Sequence, residues 1–262
     1  MLDFNLNKEL EFTKKIVFQA SKEILKIYET DFKIEYKEDK SPLTEADKRS
    51  NEIIVNNLLK EFPDYAILSE EFEDDKSRLN NKWCWIIDPL DGTKEFLKKN
   101  DEFTINVALT YEHKAILGIV LIPVTNEMYY ATVKNGAFYE KNGFIKKIAV
   151  SDKTSNLILV KSRSHSTNKV DNLIELNENL ITDIKTSGSS IKGCMVAKGD
   201  ADIYYRFGPT MEWDTAAVQC IVEEAGGIFK QLDDSEMIYN RENSINEKGF
   251  YIINRIENKL KL

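Results

Sequence analysis

The segment between Phe103 and Val150 contains strand-length apolar runs that are separated by short polar turns. The interruptions are Glu-His-Lys, Pro-Val-Thr-Asn, Asn-Gly and Lys-Asn-Gly, which are typical of antiparallel hairpins. Strands joined by such tight turns pair with their neighbours in the sequence. The segment therefore predicts a meander of several antiparallel strands.

Helical periodicity flanks this meander on both sides. Apolar residues recur at helical spacing from Lys8 to Tyr28, and again in "EADKRSNEIIVNNLLKEF". In the second half, "SSIKGCMVAKG" and "WDTAAVQCIVEEAGG" predict helices that are closed by Gly199 and by Gly226 with Gly227. Short apolar strands are predicted at "YAIL", "WCWII" and "NLILV". Helices on both sides of largely antiparallel sheets predict a layered α+β or α/β architecture.

The chain has no repeat, low-complexity tract or linker that would separate independent domains. Its 262 residues, 42% of them hydrophobic, suffice for one large domain or two tightly packed lobes. We predict one compact unit with a soft boundary, in which residues 1–150 form an N-terminal α+β lobe and residues 151–262 form a C-terminal α/β lobe.

Charge and hydropathy limit the partners that this chain can have. A net charge of -8 argues against unspecific binding of polymeric nucleic acid, which needs a basic face. No apolar run approaches the roughly 20 residues that cross a bilayer, and the first residues lack a signal-peptide apolar block. We expect a cytoplasmic protein without a transmembrane segment. Peripheral contact with the cytoplasmic face of the inner membrane stays open, as does the choice between monomer and homodimer.

The scarcity of soft ligands restricts the kind of metal site. The cysteines Cys84, Cys194 and Cys220 lie far apart among apolar neighbours and are typical of core residues. Only two histidines are present, His113 and His165. A metal centre would therefore depend on oxygen ligands.

The stretch "WCWIIDPLDGTKEF" places two carboxylates at the end of a predicted strand. Asp88 ends the strand, and Asp91 follows in a Pro/Gly turn that folds the chain back. The carbonyl of Leu90 would be presented by the same turn, which gives hard oxygen donors of the kind that magnesium prefers. As an isolated pattern, however, the two acids are more often plain turn formers.

Further acids in other segments favour the metal site. Glu70 and Glu71 end a different predicted strand, and Asp214 opens the "WDTAA" helix, where read alone it is an N-cap. Thr93 begins a predicted short helix whose free N–H groups could hold a phosphate oxygen. Together these features predict a magnesium cluster that acts on a phosphate ester, because such ions polarise phosphoryl oxygens and activate water.

Cationic side chains are grouped in the second half. "SRSH" supplies Arg163 and His165 after a predicted strand, "GSSIK" supplies Ser189 and Lys192, and Arg206 follows soon after. Such a group suits a substrate with a second phosphate, because Arg grips phosphate in a bidentate fashion and Lys adds a point charge. The alternative is a solvated basic face.

These motifs together resemble the magnesium-dependent, lithium-sensitive inositol monophosphatase superfamily. The resemblance rests on "DPLDGTKEF", "WDTAAVQCIVEEAGG" and the upstream Glu70-Glu71, and it spans nearly the whole chain. Within the superfamily, "KSPLTEAD", "LDGTKEFLKKNDEFTINVAL", "SRSH", "GSSIK", "RFGPTMEWDTAA" and "KGF" are similar to the bacterial 3'(2'),5'-bisphosphate nucleotidase branch. The implied fold is a layered αβαβα sandwich.

The resemblance also implies roles for individual residues. The implied metal ligands are Glu70, Asp88, the Leu90 carbonyl, Asp91 and Asp214. Thr93, together with Glu70, is implied to orient the attacking water, and Asp47 is implied to bind a further metal or to assist water activation; read alone, Asp47 is a helix-surface charge. The implied substrate contacts are Gly92, Thr93, Asp214, His165, Ser189, Lys192 and Arg206, of which the last four match residues that hold the adenosine 5'-phosphate portion.

The expected reaction is hydrolysis of the 3'-phosphate of adenosine 3',5'-bisphosphate to AMP and phosphate, with activity on its sulfated relative left open. Such an enzyme would clear a by-product of sulfate assimilation or of carrier-protein loading. One alternative is a phosphatase of the superfamily that acts on inositol or fructose phosphates. The acidic reader of sugar hydroxyls that inositol monophosphatases carry before "WD" is replaced here by "RFGPTME", which disfavours that alternative. A second alternative is a non-enzymatic module that senses metal or nucleotide.

Overall fold

The structure is a computed structural model that describes residues 4–30, 34–36, 42–164 and 168–262. Across these residues the chain forms six α-helices and two 3-10 helices, the latter at Ser77–Asn80 and Ile256–Asn258. The α-helices are α1 (Asn7–Tyr28), α2 (Glu45–Glu61), α3 (Thr93–Leu97), α4 (Asn168–Leu176), α5 (Ile191–Lys198) and α6 (Glu212–Glu224). The helices predicted from periodicity are confirmed as α1, α2, α5 and α6.

The described residues also form 16 strands. They are β1 (Ile34–Tyr36), β2 (Pro42–Thr44), β3 (Ala66–Ser69), β4 (Trp83–Asp91), β5 (Thr104–Tyr111), β6 (Lys114–Ile122), β7 (Glu127–Thr132), β8 (Gly136–Lys141), β9 (Phe144–Ile148), β10 (Leu157–Ser162), β11 (Ile181–Ser187), β12 (Ile203–Arg206), β13 (Thr210–Met211), β14 (Ile228–Gln231), β15 (Ile245–Asn246) and β16 (Phe250–Ile253).

A seven-stranded sheet holds β3 to β9 in the order of the chain. The first two strands are parallel and all later neighbours are antiparallel, so the predicted meander is confirmed. Both faces of this sheet are buried, because alternate side chains of β4 pack to opposite sides: Cys84 and Ile86 in one cluster, Trp85 and Ile87 in another.

A five-stranded sheet lies in the second half, in the order β11-β10-β12-β16-β14. Strands β11, β10 and β12 are parallel, and β16 and β14 are added antiparallel to their neighbours. Two small sheets, β1 with β2 and β13 with β15, complete the pairing seen in the described residues.

The packed elements form five layers. Helices α1 and α2 cover one face of the seven-stranded sheet. Helices α5 and α6 fill the space between the other face of that sheet and the five-stranded sheet. Helix α4 packs on the outer face of the five-stranded sheet. The αβαβα sandwich implied by the resemblance is confirmed.

Helix α6 lies unusually close to the seven-stranded sheet. A Cβ atom added at Gly118 in β6 would lie only 2.2 Å from the carbonyl oxygen of Ala217. A larger residue at this position would push the helix away from the sheet. The absence of a side chain at Gly118 therefore allows α6 to pack this closely against the sheet at Ala217.

The predicted boundary near residue 150 stays a prediction. The seven-stranded sheet ends at Ile148 and the five-stranded sheet begins at Leu157, but α6 packs between the two sheets. Among the described residues, every helix is too short or too polar to cross a bilayer.

Candidate active site

The first two acids of the site are delivered by parallel strands that end at one edge of the sheet. Ser69 of β3 pairs with Ile87 of β4, and the next residues are Glu70 and Asp88. The backbone N–H of Glu70 donates to the carbonyl of Ile87 at 3.1 Å, which holds the two chain segments together. Parallel neighbours carry their C-terminal ends on the same side, so Glu70 and Asp88 emerge together.

A bulge in β4 brings the next acid to the same place. Asp88 pairs with Asn106 of β5, whereas Asp91 pairs with Thr104, so three steps along β4 match two along β5. The extra residue bends the strand and re-aims the side chain, as bulges do elsewhere. Gly92 follows with φ +91°, a left-handed conformation in which glycine is not strained.

Asp214 reaches the site from α6. The helix begins at Glu212 with Met211 as its N-cap, so Asp214 is the third helical residue. Its Oδ2 accepts a hydrogen bond from the N–H of Met211 at 2.7 Å. The interpretation of Asp214 as the N-cap itself is therefore wrong, because the helix starts two residues earlier and the carboxylate folds back over its first turn.

These acids line a cavity of about 570 Å3. The same cavity is lined by the cationic and hydroxyl side chains of the second half. The residues that were predicted from the sequence and that line this cavity are Glu70, Asp88, Leu90, Asp91, Gly92, Thr93, Ser189, Lys192, Arg206 and Asp214. The fold thus brings acids and cations from distant parts of the sequence to one place.

Three of the acids are close enough to share one ion. One carboxylate oxygen from each of Asp88, Asp91 and Asp214 lies within 4.8 Å of the others. Asp88 is almost fully buried at 1% exposure. Glu70 lines the same cavity, although it is not part of this triple.

Hydrogen bonds fix the orientation of each carboxylate in the triple. Asp88 Oδ1 accepts from the N–H of Leu90 at 3.0 Å. Asp91 Oδ2 accepts from Thr104 Oγ1 and from Asn106 Nδ2, each at 3.3 Å. Together with the Met211 bond to Asp214, these contacts use one oxygen of each carboxylate within the described residues. The second oxygen of each is left for a ligand.

Burial, together with repulsion from neighbouring acids, raises the pKa values of Asp88 and Asp214. Burial, followed by the charges of Glu70, Asp91 and Asp214, raises the pKa of Asp88 well above its usual range. Burial and the charge of Asp91 raise the pKa of Asp214 to about 8. A divalent cation would relieve this repulsion, because its charge is opposite to that of the carboxylates.

Asp47 lies beside Thr93, in the first turn of α2. Its Oδ2 accepts from the N–H of Thr44 at 2.7 Å and from the Thr44 hydroxyl at 2.6 Å. Its Oδ1 accepts from Thr93 Oγ1 at 3.3 Å, and the carbonyl of Leu90 lies 3.4 Å from the same hydroxyl. Asp47 is 2% exposed, and burial raises its pKa to about 6. The interpretation of Asp47 as a helix-surface charge is therefore wrong.

Two buried polar atoms on the cationic side have no hydrogen-bond partner among the described residues: Ser189 Oγ and Arg206 Nε. Ser189 has φ +41°, an unfavourable backbone conformation for a residue with a side chain. Lys192 is 5% exposed, and its Nζ donates to the carbonyl of Ser189. Burial lowers the pKa of Lys192 to about 8. Unpaired donors beside a buried cation fit an anionic ligand.

Comparison with known proteins identifies the family. A model described as the inositol monophosphatase family matches residues 5–259. The chain belongs to the inositol monophosphatase family. The resemblance found in the motifs is thereby confirmed.

Relatives within the family carry a more specific name. The 3'(2'),5'-bisphosphate nucleotidase CysQ of Salmonella typhimurium is 38% identical over 248 residues, which cover 93% of this chain and 98% of that protein. The protein of the same name from Escherichia coli K12 is 40% identical over 219 residues, covering 82% and 87%. The crystal structure of CysQ from Bacteroides thetaiotaomicron superposes with a TM-score of 0.84 at 36% identity, covering 96% of this chain and 100% of that one.

The donor set of the site fits the metal dependence of this family. Phosphatases of the inositol monophosphatase family depend on metal ions and act on small phosphorylated substrates. The oxygens of Asp88, Asp91 and Asp214 are hard donors, and neither His nor Cys belongs to the triple. Such a set suits a hard divalent cation better than zinc.

Thr104 and Asn106 are functional candidates that motif analysis missed. Both are buried on β5, at 0% and 1% exposure, and both hold Asp91. Asn106 also donates to Ser190 Oγ at 2.9 Å, and Ser190 Oγ donates to the carbonyl of Asp214 at 3.3 Å. The signal was present: two polar residues two positions apart in the apolar run "FTINVAL" share one face of a strand.

A buried ionic network behind Asp214 was also missed. Arg78, 2% exposed, donates to both Asp74 oxygens at 3.0 and 2.9 Å and to Asn240 Oδ1 at 2.8 Å. The N–H of Asn240 in turn donates to Glu212 at 2.6 Å, and Arg241 Nε donates to the same carboxylate at 3.0 Å. The network joins the segment that follows Glu70 to the start of α6.

Two residues predicted for the cationic side, Arg163 and His165, are not among the described residues found to line the cavity. Arg163 does not line the cavity; its Nε and Nη2 donate to the two oxygens of Glu102, each at 2.6 Å. The hypothesis that Arg163 grips a phosphate is therefore not supported by its position. His165 lies outside the described residues, so its role stays a prediction.

Proposed function

We propose that the protein is a magnesium-dependent phosphatase that hydrolyses the 3'-phosphate of adenosine 3',5'-bisphosphate to AMP and inorganic phosphate. The observation that carries this proposal is one cavity lined both by an acidic cluster and by Ser189, Lys192 and Arg206, where Ser189 Oγ and Arg206 Nε have no hydrogen-bond partner within the described residues. A substrate with a single phosphate would use only the acidic side of this cavity. Relatives named 3'(2'),5'-bisphosphate nucleotidase, at 38% and 40% identity, support the same substrate.

The acidic side would hold magnesium. The proposed ligands are Glu70, Asp88, the Leu90 carbonyl, Asp91 and Asp214. When bound, magnesium supplies charge that polarises the phosphoryl oxygens, activates water and stabilises the leaving oxygen. The mutual repulsion of the carboxylates in the metal-free protein supports the assignment, since it is relieved by a cation.

Glu70, Thr93 and Asp47 would position the attacking water. The Thr93 hydroxyl has two acceptors for its one hydrogen, Asp47 Oδ1 at 3.3 Å and the Leu90 carbonyl at 3.4 Å, so its oxygen lone pairs can accept a hydrogen bond from the water. The water oxygen would then form a bond to phosphorus as the bond from phosphorus to the 3'-oxygen of the ribose breaks. The proton that the water loses would pass to the Glu70 carboxylate, and the 3'-oxygen would leave as a hydroxyl after taking up a proton from solvent. Holding the water in line with the leaving oxygen lowers the entropic part of the barrier. Glu70 lines the same cavity as Thr93 and is proposed to hold the water there.

The second phosphate would be held by Ser189, Lys192 and Arg206, with His165 as a further predicted contact. Ser189 Oγ and Arg206 Nε, which have no hydrogen-bond partner within the described residues, would gain one from the phosphate. Lys192 would keep its proton more firmly beside a phosphate, which offsets the cost of its burial. Gly92 and Thr93 line the cavity next to the acids and are proposed to contact the 3'-phosphate.

Phosphate release across a small substrate panel tests the proposal. The panel contains adenosine 3',5'-bisphosphate, its sulfated relative and inositol 1-phosphate, each with magnesium and then with a chelator. We expect magnesium-dependent release that is fastest with a nucleotide. Faster turnover of inositol 1-phosphate would show that the substrate is an inositol or sugar phosphate and not a nucleotide. No phosphate release from any substrate would favour a non-enzymatic sensing module. A cytoplasmic location and the choice between monomer and homodimer stay predictions.

A further inference from the structure

Glu102 joins three chain segments beside the second-phosphate residues. It lies between α3 and β5, and its two carboxylate oxygens accept from Arg163 Nε and Nη2 at 2.6 Å. Its Oε2 also accepts from the backbone N–H of Gly188 at 2.8 Å. Arg163 follows β10 and Gly188 follows β11, so one carboxylate of the first half holds two loops of the second half.

Gly188 directly precedes Ser189, whose left-handed backbone conformation must be maintained by its surroundings. A Cβ at Gly188 would lie 2.7 Å from the carbonyl oxygen of Glu102, so the two segments are in close contact. Arg163 strengthens the same turn from the other side. Its N–H donates to Ser187 O at 3.1 Å, and its Nη2 donates to Thr186 O at 3.3 Å.

We propose that Glu102 and Arg163 are positioning residues for the second-phosphate site. They hold the turn from Gly188 to Ser190 so that Ser189 and the start of α5 face the ligand. This inference rests on the proposed function and deepens it, because it assigns substrate specificity to an ion pair outside the cavity. Arg163 acts through Glu102 and the turn, and it does not contact the phosphate.

Because the Glu102–Arg163 ion pair is partly exposed, a positioning role can be distinguished from a general contribution to stability. Arg163 is 42% exposed and Glu102 is 21% exposed, so we expect the ion pair to add little to the free energy of unfolding. Its effect should instead appear in substrate binding, where small displacements of a phosphate contact are costly. The ion pair between Lys141 and Glu127, on β8 and β7 of the seven-stranded sheet, offers a matched control. Its side chains are 41% and 18% exposed, and its ion-pair distance is 2.8 Å.

The test compares Glu102→Ala and Glu102→Gln with Glu127→Ala. We expect Glu102→Ala to raise KM for adenosine 3',5'-bisphosphate about tenfold or more, with kcat within about threefold. The inhibition constant of AMP, which carries only the second phosphate, should rise in parallel, while that of inorganic phosphate stays unchanged. Glu102→Gln should have a smaller effect, because its amide oxygen can still accept from Gly188. Tm should fall by less than about 3 °C in all three variants.

The direction of the change decides between positioning and direct contact. If Arg163 instead binds the phosphate and Glu102 competes for it, then Glu102→Ala frees the guanidinium and lowers KM. A lower or unchanged KM, or equal changes in the constants for AMP and inorganic phosphate, would overturn the inference while leaving the proposed function intact. A wild-type protein without bisphosphate hydrolysis would overturn the proposed function and this inference with it.

Discussion

Thr93 Oγ1 donates a hydrogen bond to Asp47 Oδ1 at 3.3 Å, and this contact joins the first residue of α3 to the first turn of α2. The two residues are 46 positions apart in the sequence. The carbonyl of Leu90, 3.4 Å away, is a second acceptor for the same hydroxyl hydrogen. With its hydrogen given to either acceptor, the Thr93 hydroxyl oxygen keeps lone pairs that can accept a hydrogen bond from the water proposed to attack the phosphate.

Removing the Thr93 hydroxyl tests this arrangement. We expect Thr93→Val to lower kcat about 100-fold, with KM for the bisphosphate within about threefold, because water orientation contributes chiefly to the chemical step. Thr93→Ser keeps the hydroxyl and should retain most of the activity. Steady-state phosphate release on the three proteins checks the prediction, and equal activity of the Val and Ser variants would contradict it.

The acidic cluster predicts how magnesium and pH affect stability. In the metal-free protein the pKa of Asp214 rises from 3.8 to about 8, so the folded state keeps this proton to a higher pH than the unfolded chain does. The contribution of Asp214 to the free energy of unfolding is therefore fully present below pH 3.8 and is lost as the pH rises from 3.8 to about 8. Magnesium should raise Tm more at pH 9 than at pH 6, and chelation should reverse the effect.

Asp214→Asn is the informative variant for this prediction. It should flatten the pH dependence of Tm in the presence of chelator and weaken the magnesium response, with loss of activity. The exposed Asp171, in α4, provides the control substitution Asp171→Asn, which should behave as wild type. A Tm at pH 9 that does not respond to magnesium in the wild-type protein would contradict the metal assignment.

We expect Lys192 to lower the free energy of unfolding of the ligand-free protein and to increase the affinity for the bisphosphate. Burial lowers its pKa from 10.5 to about 8, so below pH 8 the ligand-free protein carries a disfavoured charge. The cost is about 3 kcal/mol, and the free energy of unfolding should recover as the pH rises from 8 towards 10.5. Lys192→Met should therefore stabilise the ligand-free protein at pH 7 while raising KM for the bisphosphate.

Urea unfolding and steady-state kinetics measure both effects. Lys198→Met at the other end of α5 is the control, since Lys198 is 32% exposed and lies outside the cavity. A Lys192→Met protein that is less stable than wild type, or that binds the bisphosphate as tightly, would show that the Lys192 charge is not held for a ligand.

The network around Arg78 predicts a coupling between stability and metal binding. Arg78→Met leaves Asp74 without its bidentate partner and removes the bond to Asn240, which supports Glu212. Because Arg78 is buried but Asp74 is 20% exposed, we expect the loss of these bonds to cost about 1–3 kcal/mol, and the start of α6 should shift with it. We expect a lower free energy of unfolding and a higher magnesium concentration for half-maximal activity.

The exposed Arg49, which pairs with Glu45 and Glu52 on α2, is a suitable control. Arg49→Met should change the free energy of unfolding by less than about 1 kcal/mol. Urea titrations and magnesium titrations of both variants make the comparison. An Arg78→Met protein with wild-type magnesium dependence would limit the network to a purely structural role.

Sequence patterns predicted the parts of the fold whose signals are local. Periodicity located the helices, and turn residues located the meander, because both depend on neighbours within a few positions. The acids Asp88 and Asp91 were noticed since they interrupt an apolar strand. Their convergence with Asp214 was inferred only through chemistry and the family resemblance.

Long-range contacts between ordinary residues left no such signal. Arg78 and Asn240 are 162 positions apart, and neither belongs to a motif. Arg163 was interpreted as a phosphate ligand because its charge stood beside other cations, but Glu102, 61 positions earlier, holds its guanidinium. Which partner a charged side chain finds depends on packing that the sequence pattern does not reveal.

The hydrogen bonds from Asn106 to Ser190 and from Ser190 to the Asp214 carbonyl have an evolutionary consequence. They tie Ser190 to Asp214, while Ser189 and Lys192, on either side of it, line the cavity and are the residues proposed to contact the second phosphate. A descendant of this protein could acquire a new leaving group by exchanging Ser189, Lys192 or Arg206. We expect substitutions of Ser190 to be tolerated less well, because its hydroxyl links Asn106 to the Asp214 carbonyl.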